Sequence, residues 1–396
     1  MKTTKLILLA IFAAIALFAC DDKTTVYPEP WREPVKALDI AISKFGLYAT
    51  SDGAAATLVN VGQTEDFKKY VIAKIGRNGN VTLSDTVYMY REDDYLDYCS
   101  FNVECYIGPS GDILLNNFTK EEDNNDYTYY YIHTRLDKDG KITCSMSEDE
   151  EGSWLEHSNP YPIALFDNGE MVGFKTCEVS TIGANGLVMN RYNNDGTIKN
   201  LSCVMEYQGN GMFERAKSFE NKIVLYNEQQ LSIFNIDGSF VKTINFDKSQ
   251  ISDINYIDGN IYVFSRGDSL DYNNNVYFVT KTDTLGNQLF SIEIKRASSL
   301  YNCIVQGDRL IVTASAMMSE AENYKMNGKI YLIDNINGNY TDTITCQYNG
   351  CDMVPRVISL DRHGEYDVFA ARFQDYDDCE KLFIYHTDDL HKLQMK

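Results

Sequence analysis

Three clusters of acids and aromatics carry most of the chemistry this sequence offers. Tyr88-Met89-Tyr90 runs into Arg91-Glu92-Asp93-Asp94-Tyr95, Glu148-Asp149-Glu150-Glu151 precedes Trp154 and His157, and Asp375-Tyr376-Asp377-Asp378 lies near the C-terminus. Aromatic planes beside carboxylates suit sugar recognition: the apolar face of a sugar ring stacks while its hydroxyls donate to the carboxylates. The same groups could gather oxygens around Ca²⁺ or meet a basic protein surface. They are also what any solvated loop would carry in a chain of formal charge −21. The candidate ligand-binding set is therefore Tyr88, Tyr90, Asp93, Asp94, Tyr95, Trp154, His157, Asp375 and Tyr376.

Catalytic motifs do not accompany them. The sequence contains no G-x-S-x-G elbow, H-E-x-x-H zinc motif, Walker loop or dinucleotide fingerprint, so it names no catalytic residue, cofactor or metal ligand. Asp137-Lys138-Asp139-Gly140 has the opening letters of an EF-hand, but the strand-like Lys141-Ile142-Thr143 follows and a hairpin turn accounts for the acids. Of the five histidines, His133 falls in a strand, His363 in a turn, and His386 and His391 near the C-terminal strand; only His157 sits in a long acidic loop. Enzymes of carbohydrate turnover can work with dispersed carboxylates, Tyr and His. A glycoside hydrolase or polysaccharide lyase is thus the alternative to a non-catalytic binding module.

The elements that would position these residues repeat. A turn of the form x-x-Gly-x between apolar-alternating runs recurs at Gly79, Gly140, Gly196, Gly238, Gly286 and Gly338, at intervals of roughly 40 to 60 residues. A second, earlier turn recurs at Gly111, Gly169, Gly259 and Gly364. Asn-Gly and Asp-Gly favour hairpins in which both residues take positive φ. The third unit shows the plan best, with strands expected at 161–166, 170–177, 187–192 and 197–205. Four antiparallel strands repeated about seven times make an all-β β-propeller, with six or eight blades as the neighbouring solutions. The 28 Tyr and 19 Phe against 2 Trp suit strands. Stacked β-sandwiches would not need the same two-turn grammar so often. Weak helical patterns occur only at 36–45 and 316–324.

In such a repeat both tight turns lie at one end of each sheet, and the long connections lie at the other. The expected long connections are 119–126, 265–275, 316–327 and 374–380 within units, and 88–98 and 147–160 between them. Insertions gathered on one face of a repeat protein mark its binding face. Cys346 and Cys351 flank Asn349-Gly350 and could face each other across a hairpin. No C-x-x-C occurs, which argues against zinc ribbons and thioredoxin-like chemistry.

The N-terminus has the anatomy of an export signal. Lys2 and Lys5 precede an apolar run over residues 6–18, too short to span a bilayer comfortably. Leu17-Phe18-Ala19-Cys20 resembles the bacterial lipobox. That resemblance implies a signal peptide over 1–19 and acylation of Cys20, so that the chain is anchored to a membrane rather than spanning it. Asp21 and Asp22, with Pro28, Pro30 and Pro34, make 20–34 a semi-stiff tether. Acids just after the lipidated cysteine resemble the export signal of surface lipoproteins in the Bacteroidota. Residues 35–396 then form one propeller domain, whose Leu231 to Ile244 hairpin cadence resembles Bacteroidota lipoprotein propellers and, more loosely, NHL and TolB-like propellers. The resemblance implies a cell-envelope protein at the outer membrane. Partners would be the membrane, through Cys20, and a glycan or protein; the acidic balance excludes nucleic acid.

Overall fold

Ile261-Tyr262-Val263-Phe264 is apolar at every position, which in a strand means that both faces are buried. The structure, a computed structural model, places Ile261 and Val263 in a cluster with Val224, Leu231 and Ile233. Tyr262 and Phe264 point the other way, into a cluster with Leu300, Leu310 and Val312. One sheet is thus sandwiched between two others. The structure describes residues 47–393 except 51–54, 64–66, 91–101, 109, 124–125, 153–162, 167–168, 180–183, 194–195, 207–214, 247–248, 268–275, 296, 318–325, 349–350 and 376–377.

Seven blades follow one another along the chain, each an antiparallel meander, and a short pairing of Tyr340–Tyr348 with Cys351–Leu360 joins the sixth and seventh into one sheet. The blades' first strands are Tyr48–Ala49, Asn102–Ile107, Ile163–Leu165, Arg215–Phe219, Ser249–Ile257, Ser299–Gln306 and Cys351–Leu360. The first six blades have four strands in sequential order, and the seventh has three among the described residues, Cys351–Leu360, Tyr366–Asp375 and Asp378–Thr387. In the first blade the outermost strand is broken in two, Val81–Leu83 and Val87–Tyr90, both paired with Phe67–Ile75.

Closure of the ring is read from the core. Apolar clusters fill the interface between every pair of successive blades, from Leu58 and Ile72 against Ile113 and Leu115 between the first two to Ile330 and Leu332 against Val368 and Tyr385 between the last two. A further cluster joins Val71, Ala73 and Ile75 of the first blade to Val357, Phe369 and Ile384 of the seventh. The chain is a seven-bladed β-propeller.

The recurrent glycines hold this ring together. Gly140, at φ +83°, sits so close to the preceding blade that an added Cβ would lie 2.8 Å from Ser84 Cα. An added Cβ at Gly286 would meet Lys242, and one at Gly338 would meet Phe290, each again on the outer strand of the preceding blade. The turns themselves are three-residue loops, not the two-residue type expected, except at Gly338, where four residues lie between Asp334 and Asn339. Gly140 N donates to Asp137 O and Asp137 N donates to Lys141 O, both at 2.9 Å, and only the glycine of the turn has positive φ. A type I turn followed by a left-handed glycine needs one special residue instead of two. Asp137 Oδ1 accepts from the N–H groups of Asp139 and Lys141, so the EF-hand-like letters are turn chemistry. A two-residue turn with both residues at positive φ occurs at Asp258-Gly259.

The structure corrects three sequence expectations. Residues 119–123 and 126–152 are strand apart from the turn at Asp137–Lys141, so most of the expected loop 119–126, and residues 147–152 of the expected loop 147–160, extend the second blade; 153–160 lie outside the described residues. Glu148 lies opposite Tyr131 and Asp149 opposite Tyr130; Tyr and Thr at these positions favour pairing over looping. Ala316 and Met317, in the expected helix 316–324, end the strand Arg309–Met317, where β-branched neighbours and two buried faces override helical spacing; the helical pattern at 36–45 lies outside the described residues. Cys346 is buried and free, because the register sets Cys351 opposite Tyr348.

Candidate functional site

On an innermost strand one side faces the ring axis, so polar residues there alternate with core residues. Arg215-Ala216-Lys217-Ser218-Phe219 does this, with Ala216 and Ser218 buried and the other three half-exposed. A cavity of about 770 Å³ runs along the axis and is lined by all seven innermost strands. Its lining includes Thr50, Arg77, Gly108, Glu220, Asp258 and Leu360, which place it toward the tight-turn end. This size falls within the range that encloses small ligands.

The wall from blade four to blade six carries an ion pair and a stacked aromatic pair. Lys217 Nζ lies 2.6 Å from Asp253 Oδ1 and donates at 2.7 Å to Ile254 O. The Phe219 and Tyr256 rings stack with centroids 4.8 Å apart and planes at 15°. Burial raises the Tyr256 phenol above its ordinary pKa, and a hydrogen bond with Glu220 adds to the shift. It stays a neutral hydroxyl. Ser218 Oγ donates to Leu165 O of the third blade, and Asn302 Oδ1 accepts from Ile358 N of the seventh at 3.1 Å. Tyr301 is capped by Arg356, 3.9 Å from its ring centroid. On the opposite wall Arg77 donates to Leu360 O at 2.6 Å.

These groups can stack on a flat ligand and exchange hydrogen bonds with it, since a charged pair and several hydroxyls and amides face the same space. Two thiols on the lining strands, Cys105 and Cys303, are buried in the apolar clusters behind the cavity wall. Burial pushes Cys105 up to about 12 and raises Cys303 still further, so both stay protonated and inert as nucleophiles.

The sequence-predicted set is distributed differently. Tyr88 is not in a loop: it lies on the outer strand of the first blade, exposed, opposite Lys69, with the Lys69 ammonium 5.8 Å from its ring centroid. It therefore decorates the rim of the ring. Tyr90 ends that strand opposite Phe67, and Asp375 ends Tyr366–Asp375; both backbones sit at the end remote from the glycine turns. Asp93, Asp94, Tyr95, Trp154, His157 and Tyr376 lie outside the described residues, as does Cys20. Sequence reasoning missed Arg77, Lys217, Phe219, Tyr256 and Asn302. The available signal was the alternation of polar and apolar residues along the first strand of each unit, which marks the axis once a propeller is assumed.

No protein-family model matches the chain, and no curated protein matches it in sequence. Solved structures with similar architecture include the WD40 domain of Pan2 from Neurospora crassa, at 11% identity and TM-score 0.47 over 88% of this chain and 90% of that one. Another is the NanB sialidase from Streptococcus pneumoniae, at 10% identity and TM-score 0.42 over 92% of this chain and 70% of that one. A third is the β-propeller domain of the Trilobed protease from Pyrococcus furiosus, at 9% identity and TM-score 0.38 over 70% of this chain and 79% of that one. At these identities the likeness is one of fold alone.

Proposed function

We propose that this chain is an envelope lipoprotein whose propeller binds a glycan, without catalysis, in the cavity on its axis. In this reading acyl chains on Cys20 hold the protein at the outer membrane, and residues 21–34 space the ring from the lipid. The observation that carries the binding role is the cavity of about 770 Å³ with a stacked aromatic pair, Phe219 and Tyr256, beside the Lys217–Asp253 pair. Apolar ring faces and hydroxyls on one ligand would find both kinds of partner there. The long-loop face, with Tyr90, Asp93, Asp94, Tyr95, Trp154, His157, Asp375 and Tyr376, is the competing location, and a partner protein is the competing ligand.

A glycan array probed with the chain tests the ligand class. Retention of particular glycans supports the reading, while retention of none, with capture of an envelope protein instead, would favour the partner-protein version. Cleavage of a retained glycan would move the chain to the enzyme reading.

A further inference from the structure

His386 stands on the last strand of the seventh blade with both ring nitrogens engaged. Its Nδ1 lies 2.8 Å from Asp367 Oδ1 on the neighbouring strand, and its Nε2 lies 2.6 Å from Glu365 Oε2. Asp367 is 1% exposed, and its other oxygen lies 3.0 Å from Arg77 Nε across the seam between the seventh and first blades. A buried carboxylate that accepts the Nδ1–H of a histidine fixes the ring, as it does for metal-ligating histidines, and here aims Nε2 at Glu365, whose carboxylate accepts the Nε2 hydrogen that a cation would replace.

The groups outside Nε2 are also suited to a cation. Asp361 Oδ1 is used by the N–H groups of His363 and Glu365, which holds the carboxylate in place and leaves Oδ2. Donor atoms of Asp361, Glu365 and His386 all lie within 4.8 Å of one another. Rotation of the half-buried Glu365 side chain toward the fixed Asp361 Oδ2 and His386 Nε2 would bring the donors to the roughly 3–3.5 Å separations of a tetrahedral shell. Arg77 offsets Asp367, so two carboxylates remain to balance a dication.

We propose that Asp361, Glu365 and His386 form a binding site for a divalent transition cation of the zinc class, with Asp367 as the residue that positions His386. One imidazole nitrogen with two carboxylate oxygens suits zinc better than calcium, which takes six to eight oxygens. Three protein donors leave a fourth position for water or a ligand. The site adjoins the cavity through Leu360 and Arg77, both in its lining.

The test is equilibrium dialysis of the purified full chain against Zn²⁺, with metal analysis, alongside thermal unfolding with and without the ion. The wild type should bind one more equivalent than Glu365→Gln or Asp361→Asn, whose affinity at this site should fall by roughly tenfold or more. Zn²⁺ should raise the Tm of the wild type and not that of either variant. Both substitutions are at partly exposed positions, so the comparison does not depend on changing the buried Asp367. Equal Zn²⁺ uptake and equal Tm shifts in all three proteins, no uptake by the wild type at about 100 µM Zn²⁺, or a larger Tm rise with Ca²⁺ than with Zn²⁺ would each overturn the proposal.

Discussion

Acid should destabilise this propeller through His133. The side chain is 2% exposed on the third strand of the second blade. Its cross-strand neighbour is Asn116, whose Oδ1 lies 2.8 Å from Nδ1. An Nδ1–H donating to that amide oxygen fixes a neutral tautomer, and burial lowers the pKa from 6.5 to about 4. Above pH 6.5 the ring is neutral in both the folded and unfolded chain and contributes nothing. Between pH 6.5 and about 4 the unfolded chain takes up a proton that the native chain refuses, so stability is lost as pH falls. Near pH 4.5 the loss is roughly 2–3 kcal/mol, from about two pH units below 6.5 at roughly 1.4 kcal/mol each, less a small share for the native fraction already protonated. Carboxylates titrate over the same window, so the assay is a difference. Urea unfolding of the wild type and of His133→Gln, which keeps a donor for Asn116 and does not titrate, is followed at about pH 7.5 and pH 4.5. The variant should gain roughly 2–3 kcal/mol on the wild type between the two. A gap that is the same at both pH values would refute the reasoning and would mean that His133 is protonated or solvated in the native ring.

Two further outcomes are expected. Alanine at three glycines should give a graded loss of stability in thermal or urea unfolding. It should be largest at Gly328, where a Cβ would lie 1.7 Å from Met353 O, at about 3 kcal/mol or more. It should be intermediate at Gly140, which combines positive φ with a clash on the Ser84 backbone. Gly259 should lose least, about 1 kcal/mol from φ alone, because nothing lies within 4 Å of an added Cβ. Cys20→Ser should move the protein from the membrane to the soluble fraction with its Tm unchanged; unaltered fractionation would remove the lipid anchor.

Much of this architecture was legible because propeller turns repeat a local rule. The strands expected at 170–177 and 197–205 are found at Met171–Val179 and Ile198–Glu206, since a left-handed glycine fixes where each hairpin turns whatever surrounds it. Strand length was less legible. Thr119 to Asp126 carries the Asn, Asp and Glu of a loop, yet pairing with the long Asp126–Leu136 strand draws most of it into the sheet. The cavity was hidden for a different reason. Lys217, Tyr256 and Asn302 are far apart in sequence and meet only because ring closure turns three first strands toward one axis. The Asp361–Glu365–His386 group was half visible: the turn Arg362-His363-Gly364-Glu365 was expected, but no spacing rule puts His386 beside it. Cross-strand register does that.

The central claim is that ligand enters the axial cavity, and titration of an array-selected glycan into cavity and loop variants tests it most directly. Tyr256→Ala and Lys217→Met should each weaken binding by roughly 1–2 kcal/mol or more, as anchor residues do. Their Tm should stay close to that of the wild type, while Tyr95→Ala and Trp154→Ala bind as the wild type does. Full affinity in both cavity variants, with loss in the loop variants, would contradict the account and move the site from the cavity to the segments that carry Tyr95 and Trp154.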